Sequence, residues 1–274
     1  MCNRKGETVY NLNLNKTKCN MIKLLTLLIP VWVLFTSCNK NKVEVEKRNF
    51  TTSFESVDDF AGFYLTPQGH NNTSYHSLSD SIVHSGTYAH KAWFDGSNPP
   101  STATINNNHR GYPTIQLYKT SKGSFQSPCY ITLWVWLDME LNANLTGGED
   151  DWFSIATFTD DESDNWDRTV LVNLSYDGIV HLQHTINSGV NEYFFQTSTI
   201  TFPQKEWVEI KIYLDFSSGK YAKVWQNGQL VSHARLDNVE NKLAQAHFGL
   251  YCPPSMVSGV VFNDDLLIEM VDRE

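Results

Sequence analysis

Arg110, Tyr112, Thr114, Gln116 and Tyr118 recur at every second position of the segment 109–119. In an extended strand that period places all five on one face and Ile115 and Leu117 on the other. A guanidinium offers a two-pronged fork to a carboxylate, and Tyr and Gln offer donors and acceptors to hydroxyl groups. The face suits a polyhydroxylated ligand that carries carboxylates, the alternative being a solvated strand face with a Tyr–Tyr ladder. In the segment 179–186, His181, Gln183 and Thr185 share one face and Val180, Leu182, His184 and Ile186 the other, which assigns His184 to the core. Such groups can run an elimination. A cation pairs the carboxylate and acidifies the neighbouring C–H, a base removes that proton, and an acid protonates the leaving oxygen. Arg110 is the expected neutraliser, His109 or His181 the base, Tyr112 the acid and Gln183 an accessory, with Gln116 and Tyr118 binding the ligand.

Other chemistries lack their residues. Hydrolysis of a sugar linkage needs two carboxylates across one groove. Asp138 and Glu140 have spacing for one face but end a strand beside a loop. The chain has no strand-to-helix nucleophile elbow, phosphate loop or dinucleotide fingerprint. No Cys/His spacing suits zinc. Trp134 and Trp136 alternate with Leu133, Val135 and Leu137. They are read as a continuation of the polar stripe that stacks on sugar rings, the alternative being burial under loops.

Beyond residue 50 helical periodicity is almost absent, and period-two alternation recurs between Gly, Pro, Asn and Asp. Strands are predicted over 130–139, 170–175, 179–186, 207–216, 221–226, 229–235, 246–252 and 260–271. Asp177-Gly178 and Asn227-Gly228 mark tight hairpin turns, with Val224 and Leu230 expected to point inward. Short helical turns are predicted at 57–60 and 239–244. The expected fold class is an all-β, two-sheet antiparallel sandwich forming one domain over residues 50–274.

The N-terminal region carries different information. From Met21 a short basic start, an apolar run from Leu24 to Phe35 and Thr36-Ser37-Cys38 form the parts of a secretory signal. The run is about 12 to 15 residues, short of the roughly 20 that a spanning helix needs. The segment ending at Cys38 resembles the lipobox of bacterial lipoproteins, with Phe35 where Leu is usual. Residues 1–20 are then expected to lie upstream of the true start, 21–37 to be the signal, Cys38 to carry lipid, and 38–49 to form a charged tether. The expected location is the bacterial outer membrane, facing the periplasm or the exterior. Of 21 Lys and Arg and 30 Asp and Glu, five basic residues and one acidic residue precede Cys38. The remainder has a net charge of about −13, which repels nucleic acid and anionic membrane surfaces. Cys129 and Cys252 remain, and their pairing is left open.

A family resemblance rests on three stretches. These are the segment from Trp207 through Phe216 with the Asn227-Gly228 hairpin; Phe54-Glu55-Ser56 with residues 84–89; and Phe248-Gly249-Leu250-Tyr251 followed by Asn263-Asp264-Asp265. Together they resemble the concanavalin A-like and laminin-G-like jelly rolls, including exported bacterial glycan-binding and polysaccharide-lyase-like members. The resemblance implies a sandwich in which one sheet holds a polysaccharide. It also implies a structural calcium ion on carboxylates of the first and last strands, where Glu55, Asp264 and Asp265 stand; no other cofactor is required. The acidic loop 160–167 is a second place for an ion. Two functions follow: a lyase cleaving a uronate-containing glycan by β-elimination, or a non-catalytic glycan-binding protein using the same face.

Overall fold

The computed structural model describes residues 47–56, 63–64, 74–94, 108–126, 128–141, 151–163, 165–187, 191–195, 197–237, 239–256 and 258–272, with backbone alone at 63–64 and 191–194. The signal segment, Cys38 and the predicted turn at 57–60 lie outside them.

In chain order the strands are β1 Asn49–Thr52, β2 Phe63–Tyr64, β3 Ser74–Ser79, β4 Ala89–Phe94, β5 His109–Gly111 and β6 Thr114–Gln116. Then follow β7 Phe125–Gln126, β8 Cys129–Met139, β9 Trp152–Thr159, β10 Arg168–Ser175, β11 Val180–Ile186 and β12 Asn191–Phe195. The last are β13 Trp207–Asp215, β14 Tyr221–Gln226, β15 Gln229–Arg235, β16 Lys242–Leu243, β17 Gln245–Cys252 and β18 Gly259–Met270. They build two large antiparallel sheets. The first runs β15-β14-β13-β8-β18-β4-β3, with β1 also on β18. The second runs β12-β11-β10-β9-β17-β6-β2, with β5 also on β17. Strands β7 and β16 form a small third sheet, so a strand stands where a helical turn was predicted at 239–244.

Alternation explains the sandwich. Ile131, Leu133, Val135 and Leu137 of β8 face Phe153, Ile155 and Phe158 of β9 and Ala246, Phe248 and Leu250 of β17 in one apolar cluster. Each large side chain buried this way contributes about 1.5–3 kcal/mol. Cys129 and Cys252 are buried in different sheets as free thiols. The Asn227-Gly228 turn has positive φ at both residues, 48° and 77°, as a type I′ hairpin requires. A register shift between Val224 and Trp225 sends Val224 and Val231 inward. Leu230 therefore points outward at 46% exposure, contrary to expectation.

The segment 109–119 is not one strand. Pro113 has no N–H for the ladder, and the segment divides into β5, β6 and a 3-10 turn at Leu117–Lys119. Opposite the break, β17 shifts register on β9 between Phe248 and Tyr251. Gly249 there has φ 128°, and a Cβ on it would stand 2.7 Å from the Gly111 carbonyl oxygen. Only glycine lets the chains approach so closely.

Candidate functional site

Register aligns the outer side chains of the second sheet in three rows across β5/β6, β17, β9, β10 and β11. One row is Gln116–Gln245–Thr159–Thr169–Thr185. The next is Thr114–His247–Thr157–Leu171–Gln183. The third is Arg110–Tyr251–Ser154–Asn173–His181. Fourteen of these fifteen side chains are polar, aromatic or charged, yet Ser154, Asn173, Thr157 and His181 are buried. A solvated sheet face would leave such groups wet.

Short polar bonds brace the face. The Gln116 amide donates to Gln245 Oε1 at 3.1 Å, and Asn173 Nδ2 donates to Gln183 Oε1 at 2.6 Å. Asn173 Oδ1 is shielded from solvent without a hydrogen-bond partner among the described residues. A buried acceptor in that state is costly unless something else supplies a donor.

Aromatic rings converge at the Arg110 end. Tyr112 lies flat on His247, with ring centroids 3.9 Å apart and planes 10° apart. Tyr251 meets Tyr112 edge-on at 6.0 Å and Trp152 edge-on at 5.1 Å. Trp166 tilts over His247 at 5.2 Å. The Arg110 guanidinium sits 5.2 Å over the Tyr251 ring, within cation–π range. Asn108 Nδ2 donates to the Tyr251 hydroxyl at 3.1 Å and fixes that ring.

Burial, with the Arg110 charge second, lowers His247 to about 3, so its imidazole is neutral at pH 7. Burial raises the Tyr112 hydroxyl well above its ordinary range and keeps it protonated. A cation, a neutral imidazole and a protonated phenol thus occupy one cluster.

The expected site residues divide on this frame. Arg110, Tyr112 and Gln116 share one face of the second sheet. His181 and Gln183 lie on the same face, but β17, β9 and β10 intervene between β5 and β11. Four interstrand steps of about 4.8 Å put His181 roughly 19 Å from Arg110 along the sheet, beyond the reach of one sugar. His181 is also buried, with its pKa lowered by that burial. His109 points the other way. It is buried, stacked 4.4 Å from Phe94, with Nε2 3.0 Å from the Met256 carbonyl oxygen, so it does not face the site. Tyr118 belongs to the 3-10 turn and leaves the two-residue period. Trp134 and Trp136 sit on β8 in the first sheet; Trp134 stacks on His84 at 3.8 Å and Trp136 meets Phe262 edge-on at 5.4 Å. They do not extend the stripe, because strand pairing assigned β8 to the other layer. His184 is a core residue as expected, its Nδ1 2.8 Å from the Thr169 carbonyl oxygen.

His247, Tyr251, Trp152 and Trp166 escaped the sequence reading. A signal existed for two of them. Ala246, Phe248, Leu250 and Cys252 alternate inward on β17, which leaves His247 and Tyr251 facing outward.

Glu55, Asp264 and Asp265 gather at one corner, on the loop 84–87. Asp264 Oδ2 accepts the His84 and Ser85 N–H groups at 3.0 and 3.2 Å, and its Oδ1 accepts the Asp265 N–H. Glu55 accepts the Thr87 N–H, and Asp265 meets His84 Nδ1 and the Ser85 hydroxyl. These oxygens accept from N–H and O–H donors of the loop 84–87 and of Asp265. Among the described residues no three His, Cys, Asp or Glu side chains come together to hold a metal. In the acidic loop, Asp160 pairs with Arg168 at 2.9 Å and Asp161 accepts N–H groups of Ser163 and Asp167.

No protein-family model matches the chain, and no curated protein matches it in sequence. Solved structures match its fold. The cellulose induced protein Cip1 matches with TM-score 0.55 and 14% identity, over 80% of this chain and 96% of that one. The endo-β-1,4-glucuronan lyase of the fungus Trichoderma reesei matches with TM-score 0.57 and 13% identity, over 81% of this chain and 95% of that one. At this identity the likeness shows the fold alone, a two-sheet antiparallel jelly-roll sandwich.

Proposed function

We propose that this jelly-roll protein acts on a uronate-containing polysaccharide laid across the outer face of the second sheet, and cleaves it by β-elimination at the Arg110 end. The observation that carries the reading is the cluster of Arg110, Tyr112 and His247. Arg110 pairs the uronate carboxylate and acidifies the C5 proton. His247 takes that proton, and the C–H electron pair forms the C4–C5 double bond. The C4–O4 bond breaks, and Tyr112 protonates the departing O4. His247 then returns its proton to the Tyr112 phenolate through solvent; no water is consumed. Substrate also tunes the base. Burial is the larger cause of the low His247 pKa, and the Arg110 charge is the second. A carboxylate on Arg110 offsets that charge, so His247 becomes more basic when substrate binds. The glucuronan lyase of the same fold supports the choice of glucuronate polymers as first substrates.

A second reading, binding without turnover, is favoured by one observation: the polar rows extend far from the cluster, to Asn173, Gln183 and His181. In the lyase reading the partly exposed Gln183 meets a further sugar of the same chain, and the buried Asn173 and His181 brace the strands beneath it. The protein is further proposed to be exported and lipid-anchored at Cys38, with polysaccharide reaching it outside the cytoplasm. Appearance of the unsaturated product's ultraviolet absorbance tests the reaction; binding of glucuronate polymer without that absorbance would leave the binding reading in its place.

A further inference from the structure

We infer that Trp166 is a specificity-determining wall of this site, its indole taking the apolar face of a pyranose ring beside the sugar held by Arg110. The inference rests on the glycan reading of the site and names a residue outside the catalytic cluster. Trp166 is half-buried and tilts over His247, the ring on which Tyr112 lies. It comes from the loop between β9 and β10, not from a strand, so its position depends on how that loop is held.

The loop is held from three sides. Gln245 Nε2, in the first row of the face, donates to the carbonyl oxygens of Asp161 and Ser163 at 2.8 and 2.7 Å. The Asp161 carboxylate accepts the Ser163 and Asp167 N–H groups. Thr159 Oγ1 donates to the Arg168 carbonyl oxygen at 2.6 Å and closes the base. Within this brace Trp166 has φ 52°, a left-handed conformation that bulky side chains avoid. The acidic loop thus presents an aromatic surface at the Arg110 end of the site. An indole face packs well on the C–H face of a sugar, and it does so without regard to the uronate charge.

The test compares Trp166→Phe, which keeps a ring face, with Trp166→Leu, which keeps bulk and loses the face. The half-saturating concentration of β-1,4-linked glucuronate oligosaccharides is measured for each, with melting temperature as control. Trp166→Leu is expected to need about tenfold more oligosaccharide, the size of one ring-stacking contact. Trp166→Phe should stay within about threefold of the parent. Leu binding as well as the parent, or Phe and Leu being equally weak, overturns the wall. A parent protein that binds no glucuronate oligosaccharide overturns the site reading itself, and this inference with it.

Discussion

Acid should unfold this protein steeply, because it stores neutral histidines in its interior. His90 lies wholly buried against Phe54, with Nε2 3.3 Å from His76 Nδ1. Burial, then the neighbouring His76, lowers its pKa from 6.5 to about 3, and His247 is lowered to about 3 by burial and Arg110. The sign follows from proton counts. Above pH 6.5 both rings are neutral folded and unfolded, and their contribution to stability is complete. Below 6.5 the unfolded chain binds protons that the folded chain refuses until about pH 3, so stability falls through that window. Each histidine costs about 1.4 kcal/mol per pH unit. At pH 5 the pair costs about 4 kcal/mol, a large part of the 5–15 kcal/mol typical of a domain. His109 and His181, also lowered by burial, act in the same direction. Urea unfolding between pH 7 and pH 5 measures the slope. His90→Gln should remove about 1.4 kcal/mol per pH unit from it. A free energy that is flat across this range, or a slope unaltered by His90→Gln, would show that folding does not hold these histidines neutral.

A structural calcium ion at the corner of Glu55, Asp264 and Asp265 is a proposal that the amide donors weigh against. Stripping divalent ions with a chelator is expected to leave the melting temperature unchanged; a fall that added calcium reverses would establish the ion. Lipid attachment is tested by fatty-acid labelling of cells expressing the protein: label should vanish in Cys38→Ala, and label that survives the substitution would remove the anchor.

Much of the sandwich was legible because side-chain period and burial are local properties. The strand predicted at 221–226 coincides with β14, and those at 130–139 and 207–216 differ from β8 and β13 by one residue. Register of the kind that sets Arg110, Tyr112 and Gln116 on one face was legible for the same reason, even across the break at Pro113. Sheet membership was not. Nothing local in Trp134 and Trp136 says that β8 pairs with β13 and β18 in the opposite layer. Nor could local pattern reveal that three strands separate His181 from Arg110. His247 was hidden differently: its strand alternates plainly, but its partners, Tyr112 and Trp166, lie far away in the chain. In the acidic loop the charge density is visible in sequence, whereas the contacts of Arg168 and of N–H groups with Asp160 and Asp161 are not.

Arg110, Tyr112 and His247 are proposed to act as one eliminating unit. Its most direct test is the initial rate of ultraviolet absorbance from unsaturated product on polyglucuronate, for the parent and for Arg110→Ala, His247→Gln and Tyr112→Phe. The parent should produce the chromophore. Each substitution should cut the rate by about a hundredfold or more, and Tyr112→Phe should still bind the polymer, with melting temperatures near the parent's. A rate that survives His247→Gln would remove His247 as the base, and a parent that binds polyglucuronate and never forms the chromophore would make the protein a binder without turnover.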